Sequence, residues 1–245
     1  MLAVILSAGV GRRLAPLTET IPKALIEVDG RPLIWHTLRA LHRAGMRQAV
    51  LVVGHLQAKL REALAAGITG LTLHWVTNEL YARTGSLYSL WLAREYLRGP
   101  FLFMDADLLF NPNIFNGLYR EEDKSCLLVG SLAQDSGEEV KVAHRRGLAT
   151  AIGKSLNTTD PIAGEAVGIV KIAGPDVPLA VALMAELIRQ NPMAEHEELS
   201  QALCDRERLW VRDIGLLSWL EIDFPEDLHR AREVVWPAIQ RETAG

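Results

Sequence analysis

The stretch Leu2–Leu25, LAVILSAGVGRRLAPLTETIPKAL, constrains this chain more than any other. Its apolar start, Leu2 to Leu6, reads as a buried strand of a parallel sheet, where both faces are covered and polar alternation is lost. Ser7-Ala8-Gly9-Val10-Gly11 then makes a turn of small residues whose backbone N–H groups a ligand can approach closely. Arg12, Arg13 and, past two prolines, Lys23 follow. Guanidinium and ammonium groups beside exposed amides suit a polyanion, and a nucleoside triphosphate is the obvious one.

The spacing excludes two better-known phosphate loops. A dinucleotide-binding turn needs Gly-x-Gly-x-x-Gly opening directly into a helix. Here Leu14 holds the third glycine position, and Pro16 and Pro22 prevent one continuous helix. The Gly-Lys-Ser/Thr of a P-loop is absent. A tight turn with no ligand is the plainer reading of Gly-x-Gly, but it leaves Arg13, Pro16, Leu17, Thr18, Pro22 and Lys23 unexplained.

Short strands and helices alternate through the first half, which predicts an α/β fold with a largely parallel sheet. Strands are expected at Ile26–Val28, Ala49–Val53, Leu71–Trp75 and Phe101–Met104. Helices are expected from Pro32 toward Gly45, over Leu56–Ala66, and over Ser86–Leu97 with Ser86 as N-cap. Beyond Asp107, strands are expected at Cys126–Leu132, Val140–Ala143, Leu148–Ile152, Ala166–Ile172, Leu209–Arg212 and Trp219–Ile222. Asp135-Ser136-Gly137 and Arg146-Gly147 are the breaks between the first three. Helices are expected at Pro178–Arg189, Glu197–Cys204 and Pro225–Val235. No linker or repeat divides the 245 residues, so one domain spans 1–245, with a nucleotide-binding half at about 1–125 and an acceptor-binding half at about 126–235.

A net charge of −4 offers no bulk attraction to nucleic acid or to an anionic membrane. A phosphate site must therefore be local, and the first loop supplies it. Cys126 and Cys204 are too few for a disulfide framework and read as buried thiols in a reducing compartment. The N-terminal apolar run is too short for a signal peptide, and no segment approaches a membrane span, so the cytoplasm is expected. Phe101-Leu-Phe-Met-Asp-Ala-Asp107 is an apolar strand ending in two carboxylates, at the sheet edge where Gly9 and Gly11 also lie. Asp105 and Asp107 are either loop caps or hard oxygen ligands for Mg²⁺ beside a triphosphate. Thr84-Gly85-Ser86, at a helix start, is placed for base or phosphate contacts.

The pattern G-x-G-x-R-L-x-P-L-T-x-x-x-P-K-x-L resembles the opening motif of the nucleotidyltransferases, or pyrophosphorylases, that make NDP-sugars and CDP-linked head groups. Gly9, Gly11, Arg13, Leu14, Pro16, Leu17, Thr18, Pro22, Lys23 and Leu25 carry it. The resemblance implies a Rossmann-like fold with a mixed, mostly parallel sheet flanked by helices. It also implies that Ser7, Ala8, Gly9, Gly11 and Arg12 wrap the triphosphate while Arg13 and Lys23 hold it as pyrophosphate leaves.

Other segments extend the resemblance to about Arg232. Ala106-Asp107 matches the family's metal-binding position, making Asp107 the direct ligand and Asp105 a supporting or alternate one. Trp219-Leu-Glu-Ile-Asp-Phe-Pro-Glu-Asp-Leu is similar to W-x-E-I-D-x-P-E-D-L and nominates Asp223, otherwise an N-cap for the following helix. Asn78–Leu90, with Asn78, Thr84, Gly85 and Ser86, resembles the nucleotide loop of the phosphocholine-cytidylyltransferase-like branch. Gly153-Lys154 and Gly164-Glu165 match segments that bring Lys154 to the acceptor phosphate and Glu165 to an acceptor polar group.

The implied reaction is Mg²⁺-dependent nucleotidyl transfer, with CTP and phosphocholine or a similar head group as small-molecule substrates. A sugar-1-phosphate nucleotidylyltransferase is the enzyme rival, and a non-catalytic nucleotide-binding regulator the rival from another class. An ammonium head group wants carboxylates or aromatic faces. Glu138, Glu139, Glu165, Glu195, Glu197 and Glu198 offer the first; Trp210 and Trp219 offer the second. Oligomeric state, including a homo-oligomer, is left open.

Overall fold

The computed structural model describes residues 1–118, 123–132 and 137–244. The expected break at Asp135-Ser136, and Gln134 beside it, lie outside the described residues. A nine-stranded sheet runs through the chain in the spatial order Thr72–Thr77, Gln48–Val53, Leu2–Ser7, Phe101–Asp105, Ile162–Ile172, Ser125–Gly130, Leu209–Asp213, Leu148–Gly153 and Lys141–Arg145. The first four are mutually parallel. The long Ile162–Ile172 strand is antiparallel to both its neighbours, because the second half returns by hairpin-like steps. The final strand also pairs with this long strand, so the second half of the sheet curls back on itself.

Side-chain alternation explains how one sheet supports two layers. Along the first strand, Ala3 and Ile5 pack on one face with Leu38, Leu41 and Leu51. Val4 and Leu6 pack on the other with Leu87, Leu90, Leu183 and Leu199. The helix Leu33–Arg43 covers the first face; Ser86–Leu92, Val177–Gln190 and His196–Cys204 cover the second. Each fully buried leucine or isoleucine contributes about 1.5–3 kcal/mol of transfer free energy.

Three helices differ from expectation. The one expected over 56–66 is limited to Gln57–Ala63. The one from Ser86 tightens into a 3₁₀ turn at Ala93–Tyr96, and its N-cap is Gly85 rather than Ser86. The last runs on past Val235, as Pro225–Arg230, a π-helical turn at Ala231–Val235, then Trp236–Ala244. Pro237 cannot donate to the preceding turn, and a widened turn upstream accommodates it. Cys126 and Cys204 are both buried, as expected. No helix among the described residues is long and apolar enough to cross a membrane.

The chain passes from the Leu2–Ser7 strand outward to Gln48–Val53 and then returns to Phe101–Asp105 on the other side. The crevice beyond the carboxyl ends of Leu2–Ser7 and Phe101–Asp105 is therefore a topological switch point. A third apolar cluster sits beside it. Leu14 and Ile26 pack with Leu109, Leu220 and Ile222, so the segments flanking Lys23 are seated on those flanking Asp107 and Asp223.

Candidate active site

The loop after the first strand is built for close approach. Gly11 is left-handed at φ 67°, a conformation that would strain any other residue. A Cβ there would stand 3.1 Å from Thr18 Cγ2, and Thr18 Oγ1 donates to the Gly11 carbonyl at 2.7 Å. At Gly9 a Cβ would meet no protein atom within 4 Å, so its absence clears space on the cavity side rather than in the core. Ser7, Ala8, Gly9, Gly11 and Arg12 line a cavity of about 400 Å³ together with Asn78, Thr84, Gly85, Ser86, Asp105 and Asp107. The residues expected to hold the nucleotide thus share one cavity.

Lys23 is the centre of the charged edge. Its Nζ donates to Asp107 Oδ2 at 2.6 Å and to Asp223 Oδ1 at 2.5 Å. Arg13 donates to Asp223 Oδ2 at 2.6 Å. Residues far apart in the chain meet here because the Leu108–Phe110 strand pairs with Trp219–Glu221, aligning Leu108 with Glu221. Burial disfavours the Lys23 ammonium, yet Asp107 and Asp223 more than offset this and raise its pKa. Burial likewise opposes the Asp223 carboxylate, while Lys23 and Arg13 outweigh it and hold its pKa below the usual range. The N-cap of the Pro225 helix is Phe224, and Asp227 accepts the N–H groups of Asp223 and Phe224. Asp223 is accordingly free of the capping task and points its carboxylate at the cations.

Oxygens of Asp107, Glu221 and Asp223 lie within 4.8 Å of one another. Asp107 Oδ1 is buried with no hydrogen-bond partner. Burial, then Asp107, Asp105 and Asp223, push the Glu221 pKa up to about 9, although the residue as a whole is exposed. Crowded carboxylates with an unsatisfied buried oxygen fit a hard divalent cation such as Mg²⁺. Glu221 is the member the sequence reading passed over, although it stands two residues before Asp223 in the quoted segment.

Asp105, expected as supporting or alternate ligand, is engaged elsewhere. Its Oδ2 lies 2.7 Å from His196 Nε2, and His196 is buried. Burial lowers the imidazole pKa, but Asp105 and Glu197 outweigh it and raise it to about 10. Burial holds the Asp105 carboxyl above its ordinary range while His196 pulls it down, so the two groups hold a proton tightly between them. Gly168 lies beside the pair in a left-handed conformation, φ 77°, that favours glycine.

The loop at 78–86 is held by its own hydrogen bonds and by the segment at 192–195. Asn78 is fully buried and its amide is used internally, donating to Thr84 Oγ1 and Ser89 Oγ and accepting from Leu80 N. Those bonds hold the shape of the loop that walls the cavity. The helix N-terminus at Gly85-Ser86 is not open to phosphate. Gly85 N donates to Pro192 O, Ser86 N to Glu195 Oε2 and Leu87 N to Ala194 O. Thr84 Oγ1 donates to Leu80 O. What Thr84, Gly85 and Ser86 present to the cavity is a wall.

In the acceptor half, Lys154 Nζ pairs with Glu138 Oε2 at 2.6 Å, and Arg13 also acts on the Glu138 carboxylate. Lys154 therefore belongs to the same charged neighbourhood as Arg13. Glu165 is half-buried, and burial with Glu139 pushes its pKa up to about 7. It pairs in register with Gly130, and the Trp219 indole occupies the place a Gly130 Cβ would take. Paired residues of antiparallel strands present the same face, so Glu165 and Trp219 share one. Glu195 caps Ser86 N, and Trp210 lies under Lys124 Nζ at 4.4 Å. Those two expected head-group contacts are already committed.

The family model of the MobA-like NTP transferase domain matches residues 3–163. The CMP-5'-(3-aminopropyl)phosphonate synthase of Streptomyces rubellomurinus is 29% identical over 244 residues, covering 94% of this chain and 38% of that protein. The choline-phosphate cytidylyltransferase of Streptococcus pneumoniae is 36% identical over 118 residues, covering 47% of this chain and 48% of that protein. The chain spans about two fifths to half the length of these relatives. The inositol-1-phosphate CTP transferase of T. maritima has the same fold, with a TM-score of 0.83 at 24% identity over 100% of this chain and 96% of that one.

Proposed function

The chain belongs to the family of MobA-like NTP transferase domains, and on that premise we propose that it transfers a cytidylyl group from CTP to a small phosphorylated head group, releasing pyrophosphate. The observation that carries this reading is the bridge from Lys23 to Asp107 and Asp223, with Arg13 on the same carboxylate, at the mouth of the glycine-lined cavity. A phosphate or phosphonate oxygen of the acceptor forms the new bond to the α-phosphorus, and the bond to the pyrophosphate oxygen breaks. The acceptor is already anionic at neutral pH, so the step needs positioning and charge neutralisation more than a base.

Each residue has a defined part. The Ser7–Arg12 loop wraps the triphosphate, and Arg13 and Lys23 neutralise charge growing on the leaving pyrophosphate. Asp107 and Asp223, with Glu221 beside them, would hold Mg²⁺, while Asp105 is paired with His196. That ion, when bound, supplies Lewis-acid neutralisation of phosphate charge. Lys154 receives the acceptor phosphate. Glu165 and Trp219 give a carboxylate and an aromatic face to an ammonium head group, so a phosphorylated amine, with phosphocholine as the type compound, is the favoured acceptor. Relatives named for choline phosphate and for an aminopropylphosphonate support this choice.

The test is pyrophosphate release from each of the four common NTPs against a panel of phosphocholine, aminoalkylphosphonates, inositol phosphate and glucose-1-phosphate. CTP with a cationic acceptor should give the highest kcat/KM. A sugar phosphate ahead of them all, with any NTP, would replace this reading with the sugar-nucleotide one.

A further inference from the structure

We propose that Asp105, locked by His196, is a specificity-determining residue that receives the ribose hydroxyls of the nucleotide, so that the cavity takes ribonucleotides in preference to their deoxy counterparts. This inference rests on the reading of the cavity as a nucleoside triphosphate site, and it adds what selects the sugar.

Two carboxylates leave the end of one strand in different directions. Leu102 and Met104 pack with Ala3 and Ile5 on one face of the sheet, and Phe101 and Phe103 pack with Val4 on the other. By alternation Asp105 continues the Phe103 side, toward the helices Ser86–Leu92 and His196–Cys204. Asp107 turns instead to Lys23. The cluster of Asp107, Glu221 and Asp223 that fits a divalent cation does not include Asp105. A carboxylate that lines the catalytic cavity thus stands outside the metal cluster.

Its orientation is fixed from behind. Asp105 Oδ2 is held by His196 Nε2 at 2.7 Å, and the buried imidazole packs edge-on against Phe103, with ring centroids 5.5 Å apart. The backbone N–H of His196 donates to Ser86 Oγ at 2.9 Å, which ties this lock to the loop that walls the cavity. Among the described residues Asp105 Oδ1 has no hydrogen-bond partner, and the side chain is 25% exposed. One oxygen is therefore immobilised by protein while the other is left for a ligand. An acceptor held in this way has lost its rotamer freedom before the ligand arrives.

Charge and reach decide what meets that oxygen. Arg12 and Lys23 are the cations of the cavity wall, and both also line the recess that holds Arg13 and Asp223, so the triphosphate belongs at that end. Phosphate oxygens bring no proton that Asp105 could accept. Asp105 and Asp107 are two residues apart, so their Cα atoms are separated by no more than about 7 Å. With the α-phosphate beside Asp107, the part of the nucleotide within reach of Asp105 is the sugar joined to that phosphate. Ribose presents its 2′ and 3′ hydroxyls as donors, and a carboxylate oxygen has lone pairs for both. Hydrogen bonds to charged groups are among the stronger ones, and an analogue without the hydroxyl leaves the acceptor desolvated and unpaired.

The test compares each of the four common ribonucleoside triphosphates with its 2′-deoxy and 3′-deoxy analogues, in wild type and in Asp105→Ala. Both kcat/KM, with the best acceptor of the panel, and affinity by calorimetry are read. Wild type should favour the ribonucleotide over at least one analogue by about tenfold or more. Asp105→Ala should lower the value for the ribonucleotide and lower that for the analogue far less, so that the ratio falls toward one. If Asp105→Ala does not fold, Asp105→Ala/His196→Phe replaces the whole buried pair with apolar groups beside the Phe103 ring, and it should show the same collapse of the ratio. Equal use of ribo and deoxy forms by wild type, or a variant that loses both in proportion, would overturn the proposal. If another base outruns cytosine, the cytidylyl reading fails while the sugar ratio is still decided on that base. If no nucleotide binds, both readings fall together.

Discussion

Lys23 Nζ lies 2.6 Å from Asp107 Oδ2 and bridges to Asp223, so residues separated by 84 and 200 positions form one charged unit. The ammonium neutralises carboxylates that would otherwise repel, and it lines the glycine-walled cavity.

Replacing Lys23 with alanine should lower kcat by on the order of 10²-fold or more, the usual cost of losing one preorganised charge at a reacting centre. Circular dichroism should report an unchanged fold, because Leu14 and Ile26 remain seated on the Leu109–Ile222 cluster. Near-normal turnover by a folded variant would remove Lys23 from the mechanism.

Asp107→Asn and Asp223→Asn should each weaken activity and shift the Mg²⁺ titration to higher concentration. The double variant should be no worse than the poorer single, since two ligands of one ion act as a unit. Glu221→Gln should shift the titration in the same direction, from its place in the same cluster. Mild, additive effects with an unchanged titration would assign these residues a purely structural part.

His196 gives a prediction about stability. Its pKa rises from about 6.5 in an unfolded chain to about 10 in the fold, against burial, through Asp105 and Glu197. A group whose pKa is raised by folding stabilises fully below its unfolded value. That contribution is lost as pH climbs toward its folded value. Thermal melts should therefore fall between about pH 6.5 and 10, and His196→Gln should flatten that slope. An identical slope in the variant would show that the proton is held elsewhere.

Glu165 should make acceptor binding depend on pH. Its pKa is pushed up to about 7 by burial and by Glu139, so it becomes an anion only above that point. KM for phosphocholine should improve as pH rises through about 7, over and above the ionisation of the substrate phosphate. Glu165→Gln should remove this extra dependence. Parallel profiles for the two proteins would detach Glu165 from the head group.

Most of the parallel half was legible because its strands are continuous apolar runs, as at Ala49–Val53, and its helices repeat at helical spacing. Lys23, Asp107 and Asp223 were legible because each sits in a distinctive local segment. The pairings that engage the other residues were not. His196 reaches Asp105 across 91 positions, and no local periodicity encodes that meeting. Asn78 was nominated by the resemblance of its loop, and its burial with three internal hydrogen bonds was not legible there. Ser86 looked like an open helix start until Glu195, from a distant helix, supplied the acceptor for its N–H. Glu221 was hidden by proximity to Asp223, since only the pairing of Trp219–Glu221 with Leu108–Phe110 brings its carboxylate to Asp107.

The most direct test of the central claim is ³¹P NMR of the chain incubated with CTP, phosphocholine and Mg²⁺. The account predicts pyrophosphate and a CDP-linked diester appearing in equal amounts, with both signals lost in Lys23→Ala. Unchanged CTP with every acceptor, or CDP and inorganic phosphate as the products, would contradict it.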